Sequence, residues 1–233
     1  MKKKVTVPES FDDISLGDLQ KIRALEGDEE FITIKTIEIL AGMRGDEILK
    51  MKHSDRDKIV AELEAAIKVT PSKHIKHFHL NGIEFGFHPN LNGMSYGEWV
   101  DLELYFSDFG QIHKVMSLLY RPIIKKSGNL YDIEPYQGTG QFSEMMKKSP
   151  SSIALGMMVF FCDLGKALLN NSLKSLREEE SLRIHKKSSQ KNGDGMRQLV
   201  TLLERTSSNL NRLQTYHLNN ALPRLHTTLI STN

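Results

Sequence analysis

The chain has 233 residues, with 31 Lys and Arg against 29 Asp and Glu and a formal net charge of +2. That length supports a real core in one large or two small domains, and so even a balance of charge gives no broad field to attract nucleic acid or an anionic membrane. A single cysteine, Cys162, excludes an internal disulfide framework and fits a reducing compartment.

The opening MKKKVTVPES is basic but has no apolar run behind it, which is not the pattern of a signal peptide. The longest apolar stretch, IALGMMVFFC at 153–162, is too short to cross a bilayer and reads as a buried helix segment. A soluble intracellular protein is expected. KVTVP at 4–8 alternates like a strand and is closed by Pro8. Helices are predicted over about 15–25, 29–43, 45–51 and 54–67. Ser15 with Asp18, Ser54 with Asp57 and Ser95 with Glu98 all have the spacing of a capping box. In such a box the serine oxygen accepts from an early helical amide and the acid reaches back to the cap. Ile14 with Leu19 and Met94 with Trp99 have the spacing of hydrophobic staples. SLGD and SYGE are therefore one helix start used twice.

HFHLNGIEFGF is the clearest element. Asn81-Gly82 supplies the two positive φ angles of a type I′ turn, which sets Leu80 opposite Ile83 and Phe78 opposite Phe85. Phe78, Leu80, Ile83, Phe85 and Phe87 then share a buried face, and His77, His79, Glu84, Gly86 and His88 share a wet one. A helix follows from Ser95 to about Phe106. Ile112, Val115, Met116 and Leu119 make a second helical stripe that Pro122 ends. A loop with a short strand at 130–133 leads to one long, central helix with Pro150 near its start. After Leu176 the chain turns polar: 177–194 reads as a fraying helix end plus a linker. Leu199, Leu202, Leu203, Leu210 and Leu213 then fall at helical spacing, an amphipathic helix suited to docking on a partner.

Few residues carry a chemical signature. His77 and His79, at i and i+2 on a strand with Glu84 and His88 opposite, would be the start of a zinc site, but no second ligand pair accompanies them. Cys162 lies in the most apolar run, where a thiol is structural, so its pairing with His113 as nucleophile and base is not favoured. Phosphate loops and dinucleotide fingerprints are missing. The lysine pairs at 125–126, 147–148 and 186–187 are interleaved with acids and form no phosphate-binding stripe. Arg121, beside Tyr120, is either a helix C-terminal cation or an anchor for a partner's carboxylate.

Taken together, VPESFDDISLGDLQKI, FHLNGIEFGFHPNLNGMSYGEWVDLELY, IHKVMSLLYRPI and YDIEPY resemble a family of small proteins encoded among the structural genes of tailed double-stranded-DNA bacteriophages. Members carry labels such as tail-assembly-chaperone-like or baseplate-hub-assembly-like. The resemblance covers roughly residues 4–172, and the part from 177 onward resembles only the variable tails of such proteins. It implies a non-enzymatic morphogenesis protein without cofactor or metal, placed in the host cytoplasm during assembly or retained in the virion. Its implied partners are other phage structural proteins of the tail, baseplate or connector, or further copies of itself. A metal-dependent enzyme built on the hairpin histidines and a packaged, genome-associated protein are the alternatives.

The expected fold is α+β and mostly helical: a small antiparallel sheet on the 76–88 hairpin, with strand 4–8 able to join it, packed on a helical bundle. The expected division is a core at 1–176, a linker at 177–194, and a C-terminal amphipathic helix and tail at 195–233. Arg121 and the five leucines form the expected partner-binding set.

Overall fold

The computed structural model describes residues 5–68 and 73–185. Helix α1 (Leu16–Arg23) begins as its sequence dictates: Ser15 is the N-cap, its hydroxyl oxygen accepting from the Asp18 amide at 3.1 Å. Helix α2 (Glu29–Ala41) is capped by the Asp28 carboxylate, which accepts from the Phe31 amide at 2.8 Å, and is ended by Gly42 in the left-handed region at φ 62°. Helices α3 (Gly45–Lys50) and α4 (His53–Lys68) follow. The start of α4 departs from expectation. Ser54 lies inside the first turn, because the Asp55 and Arg56 amides already bond to the Lys52 carbonyl at 3.0 and 3.1 Å. Ile37, Ile48, Ile59, Val60 and Leu63 form the shared core of these helices.

Residues 5–8 form no strand. Their alternation is real but serves a different surface: Val5 and Val7 pack, partly buried, against the core of α2, α3 and α4. The two serine caps therefore do not leave one common sheet. Ser15 instead makes an isolated antiparallel bridge with Pro150.

The sheet is antiparallel and four-stranded, in the order β1 (His77–Leu80), β2 (Ile83–Phe87), β3 (Tyr120–Ser127), β4 (Leu130–Ile133). The first hairpin has the predicted register, Leu80 against Ile83 and Phe78 against Phe85, with Asn81 and Gly82 at φ 51° and 78°. Phe85 and Phe87 are buried; Phe78, Leu80 and Ile83 are half-buried. Phe78 stacks on Phe85, and Phe78 and Phe87 each meet the Tyr120 ring edge-on at 5.2 Å. The buried Tyr120 hydroxyl donates to the Ile75 carbonyl at 2.7 Å.

The other face of the hairpin is only partly wet. His77 and His79 are exposed, but Gly86 is buried because Tyr131 of β4 and Ile123 of β3 lie over it. A Cβ at Gly86 would come within 2.5 Å of the Tyr131 ring. The predicted helix up to Pro122 stops earlier. Helix α6 (Ile112–Leu119) passes directly into β3 at Tyr120, and Pro122 pairs with Phe85 inside the strand. Proline biases its predecessor toward extended backbone, so the segment is pulled out of the helix before the ring is reached.

Helix α5 (Tyr96–Phe106) precedes α6, and α7 (Ser143–Met146) precedes α8 (Ser151–His185). The start of α8 grips the start of α1. The Leu16 and Gly17 amides donate to the Ser149 and Lys147 carbonyls at 2.8 and 2.7 Å, and the Ser151 amide donates to the Ile14 carbonyl at 2.8 Å. The Ser151 hydroxyl donates to the Phe11 carbonyl at 2.9 Å, and the Ser152 hydroxyl donates to the Asp12 carboxylate. Gly17 is needed here, since a Cβ would sit 3.1 Å from the Lys147 oxygen. Gly156 is constrained more tightly still, because the Lys73 carbonyl occupies the space its Cβ would take.

Contacts divide the chain into two units, with Met1–Gly156 in the first and the second beginning at Met157. Helix α8 continues to His185, so the fraying helix end expected in the 177–194 linker segment reaches that residue. Residues 186–194 of that linker and the whole 195–233 segment lie outside the described residues. The class is thus mixed α+β and mostly helical, with an antiparallel sheet twice the size of the hairpin expected. Phe85→Ala should cost about 3–5 kcal/mol in chemical denaturation, the usual range for emptying a buried phenylalanine site. Gly156→Ala would gain about 1 kcal/mol on helix propensity alone. Here it should instead lower the melting temperature, because the Lys73 backbone must move.

Candidate functional site

Helix α5 joins a charged inner side to an apolar outer one. Its start is a complete capping box. The Glu98 Oε2 accepts from the Ser95 amide at 2.6 Å while the Ser95 hydroxyl oxygen accepts from the Glu98 amide at 3.3 Å. The second carboxylate oxygen, Oε1, accepts from Arg121 Nη2 of β3 at 2.6 Å and lies 3.6 Å from His88 Nε2 at the end of β2. Glu98, Arg121 and His88 are only 5%, 6% and 9% exposed, so this is an enclosed cluster. The Arg121 guanidinium also stands 5.7 Å from the Tyr136 ring centroid, and the Tyr136 hydroxyl donates to the Asp101 carboxylate on the next turn of α5.

The protonation states follow from these neighbours. Burial raises the Glu98 carboxyl, but the Ser95 amide and side chain, with Arg121 and His88, outweigh it and hold the group below the usual carboxylate range. Burial lowers the His88 imidazole; Glu98 opposes this and Arg121 reinforces it, and the result lies below the ordinary histidine value. At neutral pH His88 is therefore uncharged. Its Nδ1 accepts from the Asn90 amide at 3.3 Å, which leaves the proton on Nε2, toward Glu98. The ion pair is thus Arg121 with Glu98, and His88 is its neutral neighbour.

The outer side of α5 is the reverse. Tyr96, Trp99, Val100 and Leu104 are 84%, 56%, 41% and 61% exposed. With the exposed Glu103 they occupy positions i, i+3, i+4, i+7 and i+8. That spacing is the stripe a helix ordinarily turns to its core. Trp99 is accordingly not the inward staple residue predicted, whereas Ile14 and Leu19 at α1 are both buried.

The sequence-predicted candidates are distributed as follows. Arg121 lies in β3, two residues beyond α6. It is neither a helix-end cation nor a free anchor, because its guanidinium is buried against Glu98. His77 and His79 share an exposed face with Glu84, whose carboxylate is held by Lys126 Nζ at 2.5 Å and lies 3.9 Å from His79 Nε2. His88 is not with them, being enclosed beside Glu98. Among the described residues no group of three or more His, Cys, Asp or Glu side chains is placed to hold a metal ion. Burial pushes the Cys162 thiol up, and His113 Nδ1 is engaged by the Gln20 amide nitrogen at 3.1 Å. Leu199, Leu202, Leu203, Leu210 and Leu213 lie outside the described residues. No described helix is long and apolar enough to cross a membrane.

Sequence reasoning missed both sides of α5. The signal for the outer stripe was present in YGEWVDLEL, but the inner positions Leu102 and Phe106 make the helix apolar on two sides and blur the periodicity. The Glu98–Arg121 pair, 23 residues apart, has no local signature. Comparison with protein-family models, curated proteins and solved structures finds no match to this chain.

Two outcomes test the cluster. Arg121→Ala should cost about 3–5 kcal/mol, since it strands the buried Glu98 charge. Arg121→Ala combined with Glu98→Gln should recover part of that loss in urea denaturation. The pH dependence has a definite sign. His74, His88 and His113 all have imidazoles lowered from 6.5, chiefly by burial. The unfolded chain then binds protons that the folded chain refuses, so stability is full above about pH 6.5 and falls as the pH drops below it. The urea midpoint should fall between pH 7.5 and about 5, and His88→Gln should flatten that slope.

Proposed function

We propose that this chain is a non-enzymatic assembly protein of a tailed bacteriophage that docks another structural protein on the outer face of α5. The observation that carries the docking is the stripe of Tyr96, Trp99, Val100 and Leu104, exposed on a helix whose inner side is pinned by a buried ion pair. Solvent-exposed single hydrophobics are ordinary, but a contiguous helical stripe with two aromatics has the composition of an interface centre. The phage context comes from the resemblance of the segments within residues 4–172 to morphogenesis proteins, and it supplies the class of partner: tail, baseplate or connector proteins.

The test pairs location with mutagenesis. The structural proteins encoded beside this gene should be co-expressed with it one at a time and co-purified. At least one should be retained by the wild-type chain and lost, by about tenfold or more in affinity, in the Trp99→Asp, Leu104→Asp double variant. Leu130→Asp, a still more exposed apolar position on β4, should leave binding unchanged. Binding that survives the α5 variant would refute the assigned face, and hydrolytic or metal-dependent turnover by the purified chain would refute the non-enzymatic class.

A further inference from the structure

The short connection between β2 and α5 is held near both of its ends by one imidazole. His88 follows the last residue of β2 and is fixed by its own amide, which donates to the Leu119 carbonyl at 2.7 Å. Its Nδ1 accepts from the Asn90 amide at 3.3 Å, where the connection starts. Its Nε2 lies 3.6 Å from Glu98 Oε1, in the first turn of the helix that the connection enters. Between these points Asn90 caps a 3₁₀ turn at Leu91–Gly93. Its Oδ1 accepts from the Asn92 amide at 3.1 Å and its carbonyl from the Gly93 amide at 2.9 Å. None of residues 89–95 is buried, so little packing holds the turn in place.

A neutral imidazole suits both contacts, with a lone pair at Nδ1 and a proton at Nε2. An imidazolium carries a proton on each nitrogen and has no acceptor, whichever way the ring is turned. With Nδ1 protonated, two N–H groups would face each other across 3.3 Å, and the Asn90 bond is lost. At Nε2 the change has the opposite sense, because a cation gains from the Glu98 carboxylate. The other charged group facing the ring is Arg121 of β3, whose repulsion limits that gain. Asp101, on the next turn of α5, is taken up by the Tyr136 hydroxyl. Proton uptake therefore breaks one end of the span and keeps the other. Ser95 and Glu98 cap α5 within its own first turn, and Arg121 stays on Glu98, so α5 remains in place.

We infer that His88 is a proton-operated latch: binding one proton at its imidazole releases the 89–94 turn while α5 stays fixed to the sheet. The device does not depend on what occupies the outer face of α5. It also differs from the loss of global stability in acid, because the opening is local and leaves the hairpin and helices folded. The sign follows from the bond that is lost. The closed turn favours the neutral ring, so the latch is shut above about pH 6.5. Below that, the open population rises by up to about tenfold per pH unit as the ring takes its proton.

NMR of the full chain tests it. On titration from about pH 7.5 to about 5, the His88 imidazole and the amides of Asn90, Asn92, Gly93 and Met94 should shift together, with one midpoint below about 6.5. Over the same range the order parameters of 90–94 should fall from about 0.85 to below about 0.6, while those of β1, β2 and α5 stay near about 0.85. His88→Asn places a side-chain oxygen where Nδ1 stood, able to accept from the Asn90 amide as in an Asx turn but unable to take a proton. Its turn should stay ordered down to about pH 5. If that variant does not fold, the wild-type titration decides alone. A turn that keeps its order while His88 titrates overturns the inference, and so does an imidazole that stays neutral down to about pH 5. The same acid transition in folded His88→Asn, or loss of the hairpin amides in the same step as the turn, overturns it too.

Discussion

Everything distinctive about this molecule turns on the two oxygens of Glu98. One closes the capping box that begins α5, and the other receives Arg121 from the middle of the sheet. A capping box alone fixes where a helix starts. An ion pair alone joins two elements without fixing the rotation of either. Sharing one carboxylate between the two ties the first turn of α5 to β3 at a defined angle about the helix axis. Burial makes the tie strict, since a charge in this setting must keep its partner or cost several kcal/mol. His88, neutral and bonded to the Asn90 amide, brings the end of β2 to the same point.

A second constraint acts on the opposite side of the sequence. Segment 11–17 is held to residues 147–152 by backbone and serine hydrogen bonds that span 130 positions or more. Closing so long a loop costs conformational entropy, and several bonds formed together are better able to offset it than one. Glycines mark where chains come closest: Gly17 beneath Lys147, Gly86 beneath Tyr131 and Gly156 beneath Lys73. None of these three has a positive φ. They are required for space rather than for backbone conformation, which is why the sequence around them carries no turn signal.

What could be read in the sequence was local. The Asn81-Gly82 turn, the register of its hairpin and the caps at Ser15 and Ser95 each depend on a few adjacent residues. What could not be read depended on distant neighbours. The KVTVP alternation is the same whether it faces a sheet or helices, and α2, α3 and α4 decide the outcome. Pro122 signals the end of a helix but not that a strand begins at Tyr120 and finds β2 as its partner. His88 alternates onto the wet face by counting, yet β2 ends at Phe87, and His88 just beyond it is enclosed beside Glu98. The exposed stripe was hidden because α5 is apolar on both sides: Leu102 is buried while Trp99, Val100 and Leu104 face outward.

The two sides of α5 also explain one another. An exposed tryptophan and tyrosine on a mobile helix would face the pull of their own core, because burying an apolar side chain is worth about 1.5–3 kcal/mol. Rotating α5 about its axis to hide them would turn Glu98 toward solvent and leave Arg121 buried without its carboxylate. The loss of a buried partner, about 3–5 kcal/mol, and the exposure of the buried Leu102, about 1.5–3 kcal/mol, together outweigh the gain of about 3–6 kcal/mol from covering both aromatics. The ion pair therefore keeps the apolar face outward against the hydrophobic effect. It also keeps the face rigid, so a partner that docks there need not supply the ordering of the helix, and more of the contact energy appears as affinity. Arg121 was expected to touch a partner. Its place in the structure is one layer beneath, where it holds in position the surface on which a partner would rest.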